Sequence, residues 1–233
     1  MKPNLKLKII IIAAFLFITA PLFCKEHTLF QLSDLNRLFK GDYSVTEKCS
    51  DVLKEGDFGI GTFEALDGEM LVLDGIVYRI RSDGKAYKAE DAALCPYIQI
   101  TTFTNGKGIK LTGVSDYKAL ETVLNGLLEN KESLYFAIKI SGDFNYLKVR
   151  SIPKQNPPYP PLQDVIKLQS IYEHKNAKGT MAGFFTPEKD RNPAPAFHFH
   201  FIDSEKNFGG HVLELNIKNA TVEAEPLDKI NFR

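Results

Sequence analysis

The stretch Ala196-Phe197-His198-Phe199-His200-Phe201-Ile202 decides how this chain is read. Apolar and imidazole side chains alternate with period two, the period of a β-strand rather than of a helix. Phe197, Phe199 and Phe201 therefore share one face of a strand. Ala196, His198, His200 and Ile202 share the other. Two imidazoles at i and i+2 on one face meet at one spot, as a metal ion requires. The segment from Asp203 to Phe208 is polar and turn-like, and Gly209-Gly210 leads into a second strand beginning at His211. A hairpin centred near Glu205 and Lys206 sets His200 opposite His211. Three of the chain's five histidines then converge through local pairing alone. A lone histidine on an apolar face is usually a hydrogen-bonded core residue, but three phased to one face point to a metal site. Imidazole suits zinc and other borderline divalent ions. His27 and His174 lack such a context and read as surface or capping residues.

A three-histidine site with an open position is a Lewis acid, and it needs a proton-handling group and a cation for an anionic substrate. Working outward, the chain offers Glu69 and Arg150. Glu69 follows the Asp67-Gly68 turn and shares a strand face with Leu71 and Leu73, where a carboxylate is out of place unless it is used. Arg150 ends a strand just before a proline-rich run. An exposed strand end explains either residue nearly as well.

Asp67-Gly68, Asp74-Gly75 and Asp83-Gly84 are hairpin signals, so residues 58–88 read as a β-meander. Residues 97–104 predict another strand, followed by an Asn105-Gly106 turn. Residues 28–40 and 115–129 carry apolar side chains at helical spacing, the second with Ser115 as a candidate N-cap. Residues 134–140 and 144–152 predict two strands joined by Ser141-Gly142-Asp143. Residues 153–161 hold five of the twelve prolines, which neither a helix interior nor a central strand accepts. That run predicts a boundary between sub-domains at 25–152 and 153–233. A helix over 162–173 and strands at 179–185, 196–202 and 211–224 follow. The fold class expected is α+β with β dominant.

The 233 residues carry 29 basic and 29 acidic side chains, and this balance argues against a nucleic-acid surface. Lys2, Lys6 and Lys8 precede an apolar run from Ile9 to Ile18, so residues 1–24 read as a secretory signal peptide. The run is short for a membrane span of about 20 apolar residues. Export to the periplasm or medium follows as an expectation, with no stable membrane association after cleavage. A lipid anchor on Cys24 is the weaker reading, because bulky Phe23 precedes it. Cys49 and Cys95 remain, and they either form one disulfide or pack as separate buried thiols.

Several segments together resemble the α-acetolactate decarboxylase family. They are GIGTFEALDGEM at 59–70, DGIVYRIRSDG at 74–84, YFAIKISG at 135–142, VRSIPKQNPPYPPL at 149–162, GTMAGFFTP at 179–187, and FHFHFID at 197–203 with GGHV at 209–212. The resemblance runs in order over nearly all of the chain after residue 24. It implies zinc, or another divalent ion, on His198, His200 and His211. It also implies a catalytic carboxylate at Glu69, a substrate-handling arginine at Arg150 and a pocket-lining Thr62. The implied reaction converts acetolactate to acetoin and CO2. The implied fold is a mixed sheet with helices, then an antiparallel barrel-like sheet carrying the metal, in a homodimer. One departure is that family members continue into a C-terminal tail bearing a further glutamate, whereas this chain stops at Arg233, so no residue inherits that role. A cupin-like metal protein, or a non-catalytic exported relative binding a small hydroxy acid, is the rival reading. Cupins place a carboxylate shortly after the HxH pair, and here Asp203 and Glu205 fall in the turn instead.

Overall fold

The computed structural model describes residues 27–44, 46–104, 106, 108–132, 134–191 and 195–233. The expected leader at 1–24 and Asn105 of the expected Asn105-Gly106 turn lie outside them. Elements are numbered in chain order.

Turn chemistry builds the first sheet. Gly68, Gly75 and Gly84 have φ of 94°, 72° and 78°, and Asp74 before Gly75 also has positive φ, the backbone that tight hairpins demand. These turns connect β3 (Phe58–Thr62), β4 (Glu69–Leu73), β5 (Ile76–Ile80) and β6 (Ala86–Lys88). β8 (Tyr97–Thr101) joins the other edge of β3, and β1 (Thr28–Leu32) joins β8. The final strand, β14 (Lys229–Phe232), adds parallel to β1. A two-stranded ladder of β2 (Glu47–Lys48) and β7 (Leu94–Cys95) lies alongside α2 (Cys49–Val52).

The second sheet is formed by β9 (Ile109–Val114), β10 (Tyr135–Ser151), β11 (Ser170–Phe185), β12 (Phe197–Asp203) and β13 (Gly209–Leu227). All its pairings are antiparallel. The class is α+β and mostly sheet, as expected. The barrel, however, is not closed. β12 and β13 share only three paired positions, after which β13 takes β9 as its neighbour on that edge.

The strand period sorts β12 between two cores. Phe197, Phe199 and Phe201 pack with Leu120 and Leu124 of α3 (Tyr117–Leu127). Ile202 turns the other way and packs with Leu71 and Ile80 of the first sheet. His198 and His200 share the side of Ile202, so the histidines face the space between the sheets. Burying each phenylalanine is worth roughly 1.5–3 kcal/mol, which gives the hydrophobic face command over which way the histidines point.

Several expectations need correction. Ser141-Gly142-Asp143 does not turn, because β10 runs unbroken for 17 residues. Gly142 is there for close approach: a Cβ on it would meet the Asn219 carbonyl oxygen at 2.2 Å. The prolines at 153–161 therefore join two neighbours of one sheet, β10 and β11, and the change of sheet falls between β8 and β9 rather than at residue 153. Residues 28–40 divide into β1 and the short α1 (Leu35–Phe39). The helix expected at 162–173 is only α4 (Leu162–Val165) and one 3-10 turn, since β11 already begins at Ser170. The N-cap of α3 is Asp116, which accepts from the Ala119 amide at 2.8 Å, not Ser115.

Gly183 lets β11 lie close against β12. A Cβ there would meet the His198 carbonyl oxygen at 2.0 Å and Phe199 Cδ1 at 2.5 Å. Gly183→Ala is expected to cost roughly 1–3 kcal/mol through overpacking, read as a lowered urea midpoint with unchanged m-value.

Candidate metal centre

The β12–β13 hairpin forms in the register read from the sequence, with His200 paired to His211. His198, His200 and His211 each offer a ring nitrogen, and these atoms lie within 4.8 Å of one another. His198 Nε2 and His211 Nδ1 approach to 3.1 Å. Tetrahedral zinc–nitrogen bonds of about 2.0–2.1 Å imply nitrogen separations of roughly 3.3–3.4 Å, so His198 and His211 already stand near that spacing while the widest separation, up to 4.8 Å, closes by side-chain adjustment on binding.

The tautomer of His200 is set by its surroundings. Its Nδ1–H donates to the Met70 carbonyl at 2.7 Å, which leaves Nε2 with a lone pair. That Nε2 is buried with no hydrogen-bond partner, and so is Oε1 of Glu69. Glu69 Oε2 stands 3.4 Å from the same Nε2. Two acceptors facing each other in a buried space call for a proton or a cation between them. The donor set therefore fits a divalent ion.

Electrostatics keep the imidazoles neutral, as ligands must be. Burial, seconded by His200 and the Arg150 guanidinium, holds His198 well below its ordinary range. Burial and then Arg150 do the same to His211. His200 falls to about 4 through burial, partly offset by its bond to Met70. Burial raises the Glu69 carboxyl to about 7, with Arg150 pulling the other way.

All six residues singled out in the sequence line one cavity of about 220 Å³: Thr62, Glu69, Arg150, His198, His200 and His211. Arg150 is the ladder partner of His211 on β10. Its Nη1 donates to Gln169 Oε1 at 3.4 Å, and its buried Nε has no partner. Thr62 is the ladder partner of Glu69 and donates its hydroxyl to the Gly68 carbonyl at 2.8 Å, bracing the turn before the carboxylate. His27 and His174 stand elsewhere. His27 lies near Glu225, and His174 stacks on Phe208.

Other lining groups were not legible as such. Leu35, Leu38, Leu162 and Ile166 form an apolar wall. Their helical spacing was visible, but not which surface it would cover. The Met70 carbonyl is a backbone group and leaves no side-chain signal. The carboxylate of Asp203, which a cupin-like site would have used, accepts from the amides of Glu205, Asn207 and Phe208 instead. Among the described residues, no helix is long and apolar enough to cross a membrane.

The family model for alpha-acetolactate decarboxylase matches residues 29–233. An alpha-acetolactate decarboxylase of Brevibacillus brevis is 39% identical over 209 residues, covering 89% of this chain and 73% of that protein. The crystal structure of alpha-acetolactate decarboxylase from Bacillus subtilis strain 168 superposes with a TM-score of 0.85 at 34% identity, covering 88% of each chain. A Staphylococcus aureus protein of unknown function, similar to alpha-acetolactate decarboxylase, superposes with a TM-score of 0.82 at 29% identity, covering 89% of each chain.

Proposed function

Since this chain belongs to the alpha-acetolactate decarboxylase family, a family of carboxy-lyases, we propose that it converts 2-acetolactate to acetoin and CO2 with a divalent ion, zinc by preference, on His198, His200 and His211. The observation that carries this reading is the convergence of three neutral imidazoles, a raised carboxyl and a guanidinium on one cavity. Held there, such an ion would supply Lewis acidity toward neighbouring hydroxyl and keto oxygens and toward the negative charge that loss of CO2 leaves.

The protein side chains do the rest. Arg150 holds the carboxylate that will leave, since a guanidinium matches carboxylate geometry. Its position beside His211 in the ladder keeps that cation next to the ligand set. Glu69 handles the proton that replaces CO2 on carbon. With a carboxyl raised to about 7, it gives and takes a proton near neutrality. Thr62 steadies the turn from which Glu69 projects. Leu35, Leu38 and Leu162 shield the cavity from bulk water and suit the methyl groups of a small hydroxy-keto acid. We read residues 1–24 as an export signal on the same footing.

The test is acetoin formation from racemic acetolactate by the zinc-loaded chain, before and after chelation. Activity is expected to fall at least a hundredfold on chelation, the scale of a lost electrostatic stabiliser, and to return with added zinc. A folded, zinc-loaded chain that makes no acetoin would overturn the proposal.

A further inference from the structure

The two cysteines of the described residues meet on the face of β4 opposite Glu69. β2 and β7 pair Glu47 with Cys95 and Lys48 with Leu94. The ladder reaches into the first turn of α2, where the Cys49 amide donates to the Ala93 carbonyl at 2.8 Å. Cys49 and Cys95 are 1% and 0% exposed, in a cluster with Phe63, Met70 and Ile98. The two thiols are side-chain neighbours within interaction distance, and Cys95 Sγ gives its S–H to the Glu47 carbonyl at 3.4 Å. We propose that Cys49 and Cys95 are a disulfide-forming pair that an oxidising environment joins, tying β2 and α2 to the strand that leads into β8.

The alternative is two thiols that merely pack. Mutual contact separates the cases, because thiols buried for packing need not find one another, and a disulfide requires that they do. Neighbouring charge also gives the pair a direction. Contact with Cys95, with the Arg79 guanidinium helping, holds the Cys49 thiol down against its burial, while contact with Cys49 and burial push Cys95 up. Cys49 is therefore the attacking sulfur. Its thiolate attacks a small-molecule disulfide such as oxidised glutathione and releases one glutathione thiolate. The Cys95 thiol then gives up its proton, and its sulfur displaces the second glutathione. Two protein thiols and one oxidised glutathione become one protein disulfide and two reduced glutathiones. The two-residue β2 is the short ladder that must open to admit the reagent.

Closing this 47-residue loop acts mainly on the unfolded chain, by the loop-entropy account. The catalytic cavity gains no new group, so activity is expected to change by less than about twofold. Thermal stability is expected to rise by about 5–10 °C and to fall back with dithiothreitol.

The experiment equilibrates the full chain in a glutathione redox buffer, quenches it by alkylation in denaturant and maps peptides by mass. The expected product is a Cys49–Cys95 linked peptide, lost on reduction, with Cys95→Ser leaving glutathione trapped on Cys49. Alkylation of both residues after oxidation, or a link from either to Cys24 instead, would overturn the proposal. The map uses the unmodified chain, so it stands even if Cys95→Ser does not fold. It is also indifferent to whether the chain acts on acetolactate.

Discussion

Replacing His200 with alanine is expected to lower bound zinc from one ion per chain to near zero and acetoin formation by two to three orders of magnitude or more, the scale of losing a preorganised electrostatic stabiliser. His200 is the most informative of the three, being 1% exposed and fixed from behind. Truncation removes a ligand and also strands the Met70 carbonyl that its Nδ1–H satisfies. A buried acceptor left without a donor costs roughly 1–3 kcal/mol, so a modest drop in Tm should accompany the loss. Metal analysis after gel filtration, circular dichroism and the acetoin assay separate the effects. Folded His200→Ala protein retaining stoichiometric zinc and full turnover would show that the ion, if any, sits elsewhere.

Glu69→Gln is expected to trade activity for stability. Loss of a positioned proton-transfer group costs 10²–10⁴-fold in rate, and the ligand histidines remain, so zinc content should hold. Stability in the metal-free protein should move the other way. Burial raises this carboxyl from 4.5 in the unfolded chain to about 7 in the folded one. Between those values the folded state binds more protons, so its stability declines as pH rises through that window. The glutamine variant has no such titration. Urea unfolding of metal-free protein at pH 5 and pH 8 should show the wild type losing a few kcal/mol and Glu69→Gln losing little. Parallel pH profiles would mean that Glu69 is not the group paying for burial.

Much of this site was legible because strands have a strict period. The alternation around His198 and His200 fixes which side chains see the core, and Gly209-Gly210 fixes where the return strand begins, so the pairing of His200 with His211 follows. The Asp-Gly turns were equally plain, because their positive φ demands those residues. The errors share a cause in neighbours that local sequence does not contain. Gly142 looks like a turn until Ala220 and Asn219 lie against it. The apolar residues of 28–40 suit a helix until β8 and β14 claim Thr28–Leu32 as a strand. The covering of the cavity by α1 and α4 depends on the path of residues 153–161, which spacing alone does not specify.

The hairpin has a further consequence in time. All three histidines lie between residues 198 and 211 and are brought together by one local turn, an event on the scale of about 1–10 μs. Arg150 and Met70 reach them only through β10–β13 pairing and the docking of the two sheets, which must close far longer loops. The three imidazoles and the rest of the site thus come together at separate stages of folding. On the proposed reading the ligand set forms before the sheets dock, and refolding with zinc is expected to give a higher yield of native protein than refolding with chelator, read as recovered native circular dichroism.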